Sequence, residues 1–201
     1  MNDKPTVLIL SGFLGSGKTT LLLQLIKHLR EKHGPDYRMA IIENEVGSAS
    51  VDSEVIAEAG YSVTEMLSGC VCCTLIGQLV PAIQKLVDDL EPQLIVLEAT
   101  GMATPSTMRD NIERYGGCPT RIVTLVDASR WQRIIRALYI LLESQLECAD
   151  IVCVNKCDLV DDCQLGDVEA TVREMNAQAP IVYASALSPM NAADLDAIAG
   201  E

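Results

Sequence analysis

A glycine-rich stretch, GFLGSGKTT at residues 12–20, constrains the fold of this chain more than any other feature. It follows the apolar run TVLIL (6–10), precedes an amphipathic stretch and fits the pattern G-x-x-x-x-G-K-[ST]. Glycines in such a loop let backbone N–H groups turn inward around phosphate oxygens without clashes of β-carbons. The pattern therefore predicts a strand, a phosphate-binding loop and a helix, in that order.

The loop also assigns roles to individual side chains. Lys18 is expected to bridge the β- and γ-phosphates, and the Thr19 hydroxyl to ligate Mg²⁺. The amino end of the following helix adds its dipole, which favours a bound anion. The residues expected to hold the phosphates are Gly12, Gly15, Ser16, Gly17, Lys18, Thr19 and Thr20.

Apolar runs alternate with amphipathic stretches along the whole chain. Leucine and isoleucine recur at helical spacing within 21–29, with charged residues between them. This alternation predicts an α/β fold of the P-loop NTPase class: a three-layer sandwich whose mainly parallel sheet has about seven strands and helices on both faces. Without a linker or repeat, residues 1–201 are predicted to form a single domain. The strand-like runs are 6–10, 38–43, 61–66, 94–99, 121–127, 151–155 and 181–185.

Charge and composition exclude several classes of partner. A net charge of −13 argues against binding to nucleic acid or to an anionic membrane. The opening residues lack a secretory h-region, and the apolar run 134–142 is too short to span a bilayer. We therefore expect a cytoplasmic protein with reduced thiols, in which eight cysteines indicate metal binding or buried thiols rather than disulfides.

Two further motifs surround the expected phosphate site. In LIVLEATG (94–101), Glu98 ends an apolar run and is predicted to serve the Mg²⁺ ion, with the Gly101 N–H directed at the γ-phosphate. In NKCD, the Asp158 carboxylate can accept hydrogen bonds from two donors of guanine that adenine lacks. Asn155 is expected to tie this loop to the phosphate loop, and Lys156 to lie along the base.

The stretch YASALSP (183–189) also favours guanine as the bound base. The N–H of Ala186, which follows Ser185, could donate a hydrogen bond to the guanine O6. Together these motifs favour a GTPase over an ATPase. A small-molecule kinase uses the same phosphate loop, and Arg130, Arg133 and Arg136 are candidates for its lid, but Asp158 argues against it.

At this point the chain resembles the CobW-like GTPases, relatives of the nickel-inserting GTPases for urease and hydrogenase. The resemblance implies a P-loop GTPase fold, GTP hydrolysis with Mg²⁺, and binding of zinc, cobalt or related metals for delivery to client proteins. Its most specific element is the C-x-C-C sequence on Cys70, Cys72 and Cys73. The motifs that carry it are GFLGSGKTT (12–20), IENEVG (42–47), GCVCCT (69–74), LEATGMATP (97–105), VDAS (126–129) and QLECADIVCVNKCDL (145–159).

The chain departs from the family pattern in three places. Members usually carry a second, C-terminal domain, which we expect to be absent here, and often a histidine-rich stretch. This chain has only His28 and His33, which we expect to face solvent. Ser48 stands where members commonly have another glutamate next to the ENEFG-like segment.

The three cysteines can supply two or three thiolates, whereas a closed zinc site takes four ligands. Glu43, Glu45, water or a second subunit could supply the missing ligands of a site that holds Zn²⁺ or Co²⁺ only temporarily. GTP would then order the candidate switch 44–52 and bring Glu43 or Glu45 towards the thiolates. The alternative is that the three cysteines pack as small apolar groups without a metal. With Lys18, Glu98 and Gly101, Glu43 also completes the set of candidate catalytic residues.

The function predicted from these residues is GTP hydrolysis coupled to transition-metal delivery or metallocofactor assembly in a client protein. A GTP-dependent chaperone of a cobalamin enzyme that carries no metal is the alternative, and dimerisation across the nucleotide stays open. Hydrolysis is expected to be slow, because we find no arginine placed at the phosphate loop and Arg109 is the nearest candidate. Met102 and Trp131 are assigned to packing.

Overall fold

Seven parallel strands form the centre of the protein in the computed structural model, which describes residues 4–43, 62–65, 74–102, 104–185 and 188–201. Their spatial order is β3-β2-β4-β1-β5-β6-β7, and every neighbouring pair is parallel. The predicted sheet and fold class are therefore confirmed. The strands are β1 (Thr6–Gly12), β2 (Met39–Glu43), β3 (Ser62–Glu65), β4 (Leu94–Glu98), β5 (Thr120–Asp127), β6 (Ile151–Asn155) and β7 (Ile181–Tyr183).

Helices cover both faces of the sheet. The helices α1 and α6 pack on one face, and α2, α4 and α5 pack on the other. A π-helical segment, Ile112–Gly116, continues α3. The α-helices of the described ranges are α1 (Lys18–His33), α2 (Thr74–Leu90), α3 (Pro105–Asn111), α4 (Trp131–Leu146), α5 (Asp162–Met175) and α6 (Ala192–Ala199).

The two cores follow from the pleat of the strands. Alternate side chains of a strand point to opposite faces, so Val7 and Ile9 join the core under α2, α4 and α5, whereas Leu8 and Leu10 join the core under α1 and α6. All four side chains are fully buried. A sheet covered on both faces needs continuous apolar strands, which explains why these strands lack polar alternation.

Helix α4 departs from a regular amphipathic helix. Leu138 has non-helical backbone angles (φ −138°, ψ 32°), and Ile140 is 81% exposed. Met102, which we assigned to packing, is 65% exposed, so that assignment is wrong; Trp131 is 2% exposed and does pack in the core. Among the helices of the described ranges, none has the length and apolar character to cross a bilayer.

Two isoleucines on different helices allow a matched test of this core. Ile83 on α2 is fully buried, whereas Ile140 is largely exposed. We expect Ile83→Ala to lower the free energy of unfolding by about 2–5 kcal/mol, because it leaves a cavity. Ile140→Ala should change it by less than about 0.5 kcal/mol. Denaturant unfolding measures both, and equal losses would contradict the assigned burial.

Candidate functional site

The carboxyl ends of five adjacent strands meet at one edge of the sheet. Glu43 of β2 pairs in register with Glu98 of β4, and Asp127 of β5 pairs with Asn155 of β6. Strand β1 lies between β4 and β5 and ends at Gly12, where the phosphate loop begins. This edge is where ligands bind in open parallel sheets. The sheet thus gathers residues that are far apart in the sequence.

The phosphate loop curls around the amino end of α1. Its Ser16 N–H donates to the Phe13 carbonyl at 3.1 Å, and Gly17 takes the left-handed region (φ 103°) immediately before the helix. The Lys18 side chain is buried, and its Nζ lies 3.1 Å from the Gly12 carbonyl oxygen. A buried ammonium held inside the curve of the loop is placed for a phosphate. Gly15 and Thr20, which were also expected to contact the phosphates, are exposed to solvent.

Two oxygen ligands suitable for Mg²⁺ lie beside this loop. Thr19 Oγ1 is 3.4 Å from Glu98 Oε1, close enough for one ion to contact both. A hydroxyl and a carboxylate are hard oxygen donors of the kind Mg²⁺ prefers. The residues therefore fit the ion.

Gly101 also reaches the phosphate loop. Its backbone lies against the backbone of Phe13 and Leu14. The buried side chain of Gln145 on α4 donates from Nε2 to the Gly101 carbonyl at 3.1 Å. No role was predicted for Gln145, because a single glutamine within a helix carries no signal of its tertiary contact.

The loop after β6 that carries NKCD (155–158), predicted to recognise the base and called the base-recognition loop below, is joined to the phosphate loop. Asn155 Nδ2 donates to the Ser16 carbonyl at 2.8 Å, which is the contact expected from the sequence. A β-carbon on Gly17 would lie 2.1 Å from that nitrogen, so the close approach requires glycine there. Asp158 is exposed and accepts a hydrogen bond from Ser185 Oγ at 2.6 Å. Ala186 lies outside the described residues.

Asp127 lies between these two loops and was given no role from the sequence. Its carboxylate is fully buried and accepts hydrogen bonds from the side chains of Ser129, Arg130 and Lys156. Burial by itself would raise the pKa of Asp127, but the bonds from Lys156, Ser129 and Arg130 outweigh it and hold the pKa below its usual value. The available signal was a carboxylate at the end of a mainly apolar strand, TRIVTLVD.

The expectation about arginines is wrong. Arg109 forms an ion pair with Asp150, whose carboxylate also accepts from the Ile122 N–H at 2.7 Å. That contact lies at the amino ends of β5 and β6, opposite the phosphate loop. The arginine at the phosphate loop is Arg130, whose Nη2 donates to the Leu14 carbonyl at 2.7 Å.

The residues predicted to bind the transition metal fall at or beyond the boundaries of the described ranges. Cys70, Cys72, Cys73, Glu45 and Ser48 lie outside the described residues, as does the side chain of Glu43. Among the residues that are described, no group of three or more histidine, cysteine or acidic side chains is arranged to hold a metal ion. The described cysteines have free thiols, and burial raises the pKa of Cys153 to about 12.

One of the two histidines faces solvent as expected: His33 is exposed, whereas His28 is largely covered. His28 Nε2 lies 2.7 Å from Asp196 Oδ1, and the His28 side chain is 15% exposed. His33 Nε2 lies 2.8 Å from a carboxylate oxygen of Glu201. Both histidines therefore help to fasten α1 to the end of α6.

Comparison with known proteins agrees with this geometry. Zinc-regulated GTPase metalloprotein activator 1 of Dictyostelium discoideum is 28% identical over 222 aligned residues, covering 90% of this chain and 46% of that protein. The zinc chaperone YjiA of Escherichia coli is 31% identical over 185 residues, covering 87% of this chain and 56% of that protein. The chain thus spans about half the length of these curated relatives.

A solved structure supports the fold. The hydrogenase maturation factor HypB from Archaeoglobus fulgidus superposes with a TM-score of 0.72 at 17% identity, covering 98% of this chain and 90% of that one. The family described as CobW/HypB/UreG, nucleotide-binding domain, matches residues 6–183. This chain therefore belongs to the CobW/HypB/UreG nucleotide-binding domain family.

Proposed function

We propose that this chain binds GTP with Mg²⁺, hydrolyses it to GDP and phosphate, and uses the change of nucleotide to bind and deliver a transition metal. The observation that carries the proposal is the convergence of three elements on one sheet edge: Lys18 in the phosphate loop, the Thr19–Glu98 pair, and the base-recognition loop fastened to Ser16. Each element serves a different part of one ligand.

In this proposal the phosphates lie in the curve of the loop. Lys18 neutralises charge on the β- and γ-phosphates, Thr19 and Glu98 hold Mg²⁺, and the Gly101 N–H approaches the γ-phosphate. Mg²⁺ would offset the negative charge that develops on the phosphate oxygens. Local positive groups are needed because the chain carries a net charge of −13.

The base site selects guanine in this proposal. Asp158 stands in a short turn, Cys157–Leu159, that follows β6, and its Oδ1 is fixed by Ser185. A carboxylate held in this way can accept from both donors on one edge of guanine. The fixed orientation lowers the entropic cost of forming that pair.

The metal is the cargo of this cycle. Two relatives are named for zinc, as a zinc chaperone and as a zinc-regulated GTPase metalloprotein activator, and this favours Zn²⁺ over Co²⁺ here. We assign Cys70, Cys72 and Cys73 as thiolate ligands, with Glu43 or Glu45 completing the site in one nucleotide state. Thiolates need a reducing compartment, so we extend the proposal to the cytoplasm and to a metalloprotein client.

The sheet supplies a physical route for coupling. The Glu43 backbone is the register partner of Glu98, so the chain that continues from β2 starts one strand away from the proposed Mg²⁺ carboxylate. On the other side of the motif, α2 begins at Thr74, directly after Cys73. A change at the γ-phosphate can therefore reach both ends of the segment that holds the thiolates.

A metal titration in two nucleotide states tests the coupling. With a slowly hydrolysed GTP analogue and Mg²⁺, we expect the Zn²⁺ affinity to differ from that with GDP by about fivefold or more, the lower end of usual coupling free energies. Cys72→Ser should remove most of the Zn²⁺ binding, whereas Cys163→Ser, at an exposed cysteine of α5, should not. Equal Zn²⁺ affinity in the two states would rule out coupling, and equal effects of the two substitutions would rule out the assigned ligands.

A further inference from the structure

We propose that Asp127 and Arg130 are positioning residues that hold the phosphate loop in a fixed relation to the base-recognition loop. Through them, selection of guanine depends on an arginine bonded to the phosphate loop. The inference rests on the nucleotide site proposed above. It adds a role for two residues that the phosphate-loop and NKCD motifs do not include.

The Asp127 carboxylate joins groups from two directions. Oδ2 accepts from Arg130 Nε at 2.6 Å and from Lys156 Nζ at 2.7 Å. Oδ1 accepts from the Ser129 N–H at 3.1 Å and from Ser129 Oγ at 2.6 Å, which fixes the orientation of the carboxylate. Asp127 is fully buried, so these charge-assisted bonds are shielded from water on the carboxylate side, while the Arg130 and Lys156 side chains remain partly exposed.

Arg130 extends this cluster to the phosphate loop. Its Nη2 donates to the Leu14 carbonyl at 2.7 Å while its Nε remains bonded to Asp127. A β-carbon on Gly15 would lie 3.2 Å from the same Nη2, so the guanidinium packs closely on the loop backbone. One planar guanidinium with two donors at fixed separation can serve both acceptors, which a lysine ammonium cannot do in the same geometry.

The contact of Lys156 in the base-recognition loop with Asp127 is equally specific. Lys156 has a left-handed backbone (φ 63°), an uncommon conformation for a residue with a side chain. Its N–H donates to Asn155 Oδ1 at 2.8 Å, and its side chain reaches Asp127. A conformation of this kind persists when the surrounding contacts determine it, and here Asp127 supplies one of them.

Two parallel connections therefore join the loops. One is the direct bond from Asn155 to the Ser16 carbonyl. The other runs from Lys156 through Asp127 and Arg130 to the Leu14 carbonyl. A nucleotide must engage the phosphate loop and the base loop at the same time. The contribution of the base contact to nucleotide affinity then depends on how well the distance between the two loops is fixed, as it does for any two linked binding sites.

The test compares the binding of GDP and of inosine diphosphate, which lacks the exocyclic amine of guanine. The ratio of their dissociation constants reports the contact of Asp158 with that amine. For the wild-type chain we expect a ratio of about tenfold or more, the discrimination that one charge-assisted hydrogen bond provides. Arg130→Ala and Arg130→Lys should each reduce this ratio at least about threefold, since neither side chain holds both acceptors.

Arg133→Ala is the matched control, because Arg133 is an exposed arginine in the first turn of α4, just after Arg130, and its loss changes the net charge equally. It should leave the ratio unchanged. Asp127→Asn should reduce the ratio as Arg130→Ala does. If this substitution at a buried position prevents folding, the Arg130 variants still decide the test. A melting temperature without nucleotide, recorded for each variant, separates loss of fold from loss of positioning.

The outcomes are distinct. A wild-type ratio that persists in Arg130→Ala, or full recovery in Arg130→Lys, would overturn the positioning role while leaving the nucleotide site intact. Equal loss of GDP and inosine diphosphate affinity would also overturn it and would indicate a direct contact of Arg130 with phosphate. Failure of the wild-type chain to bind GDP would refute the proposed function itself.

Discussion

Lys18→Ala is expected to lower the rate of GTP hydrolysis by about two to three orders of magnitude, the usual effect of removing one charged or donor group from a transition state. The Lys18 side chain is buried inside the phosphate loop, with Nζ 3.1 Å from the Gly12 carbonyl. An ammonium in that place stabilises charge that grows on the phosphates as the terminal bond breaks. Water cannot replace it fully, since the loop backbone surrounds the site.

Lys27→Ala is the control for this result. Lys27 lies on the same helix, and its side chain is 78% exposed, so its loss removes the same charge from α1 without affecting the loop. Phosphate release, measured with saturating GTP and Mg²⁺, should be unchanged in this variant. Similar rates in Lys18→Ala and the wild type would contradict the assigned phosphate site.

Asp158→Asn is expected to weaken GDP binding by roughly 10²- to 10⁴-fold, because two hydrogen bonds to a charged acceptor, worth about 1.5–3 kcal/mol each, are lost together. An asparagine also presents an N–H₂ group towards the exocyclic amine of guanine, so two donors would face each other. Xanthine has a carbonyl oxygen at that position. The variant should therefore prefer xanthosine diphosphate, which the wild-type chain should reject.

The change of preference separates recognition from loss of fold. An unfolded variant would bind neither nucleotide. A folded variant with altered base recognition would instead bind xanthosine diphosphate more tightly and GDP more weakly. Asp162→Asn, in the first turn of α5, provides the control because it removes a nearby exposed carboxylate. Titration calorimetry with both diphosphates measures these affinities. Unchanged GDP affinity in Asp158→Asn would refute the base site.

Patterns of local spacing predicted the elements well. The helical stripe in 21–29 marked α1, and its leucines and isoleucine at 21, 22, 25, 26 and 29 are all buried. The runs predicted as strands differ from the observed strands by no more than two residues at either end. Such agreement is expected where apolar residues recur at the spacing of a helix or a strand. The face that they form must be buried, so the same residues set the sequence pattern and the secondary structure.

Long-range pairing could not be predicted in the same way. Arg109 and Arg130 were both visible in the sequence, yet Arg109 was named as the nearest candidate and no arginine was expected at the phosphate loop, where Arg130 is bonded. Arg109 is closer to Glu98 along the chain, but α3 carries it to the amino ends of the strands, where it meets Asp150. His28 was likewise misassigned, since its partner Asp196 is 168 residues away.

The sequence by itself determined the strand–helix alternation, the phosphate loop and the position of the NKCD loop after β6, because each depends on neighbouring residues and on backbone conformations that glycine or apolar periodicity imposes. Only the tertiary structure decided which distant groups share a bond. The buried Asp127 between Arg130 and Lys156, and Gln145 on Gly101, follow from the order in which the strands lie side by side. That order brings together residues whose contact cannot be predicted from their separation along the chain.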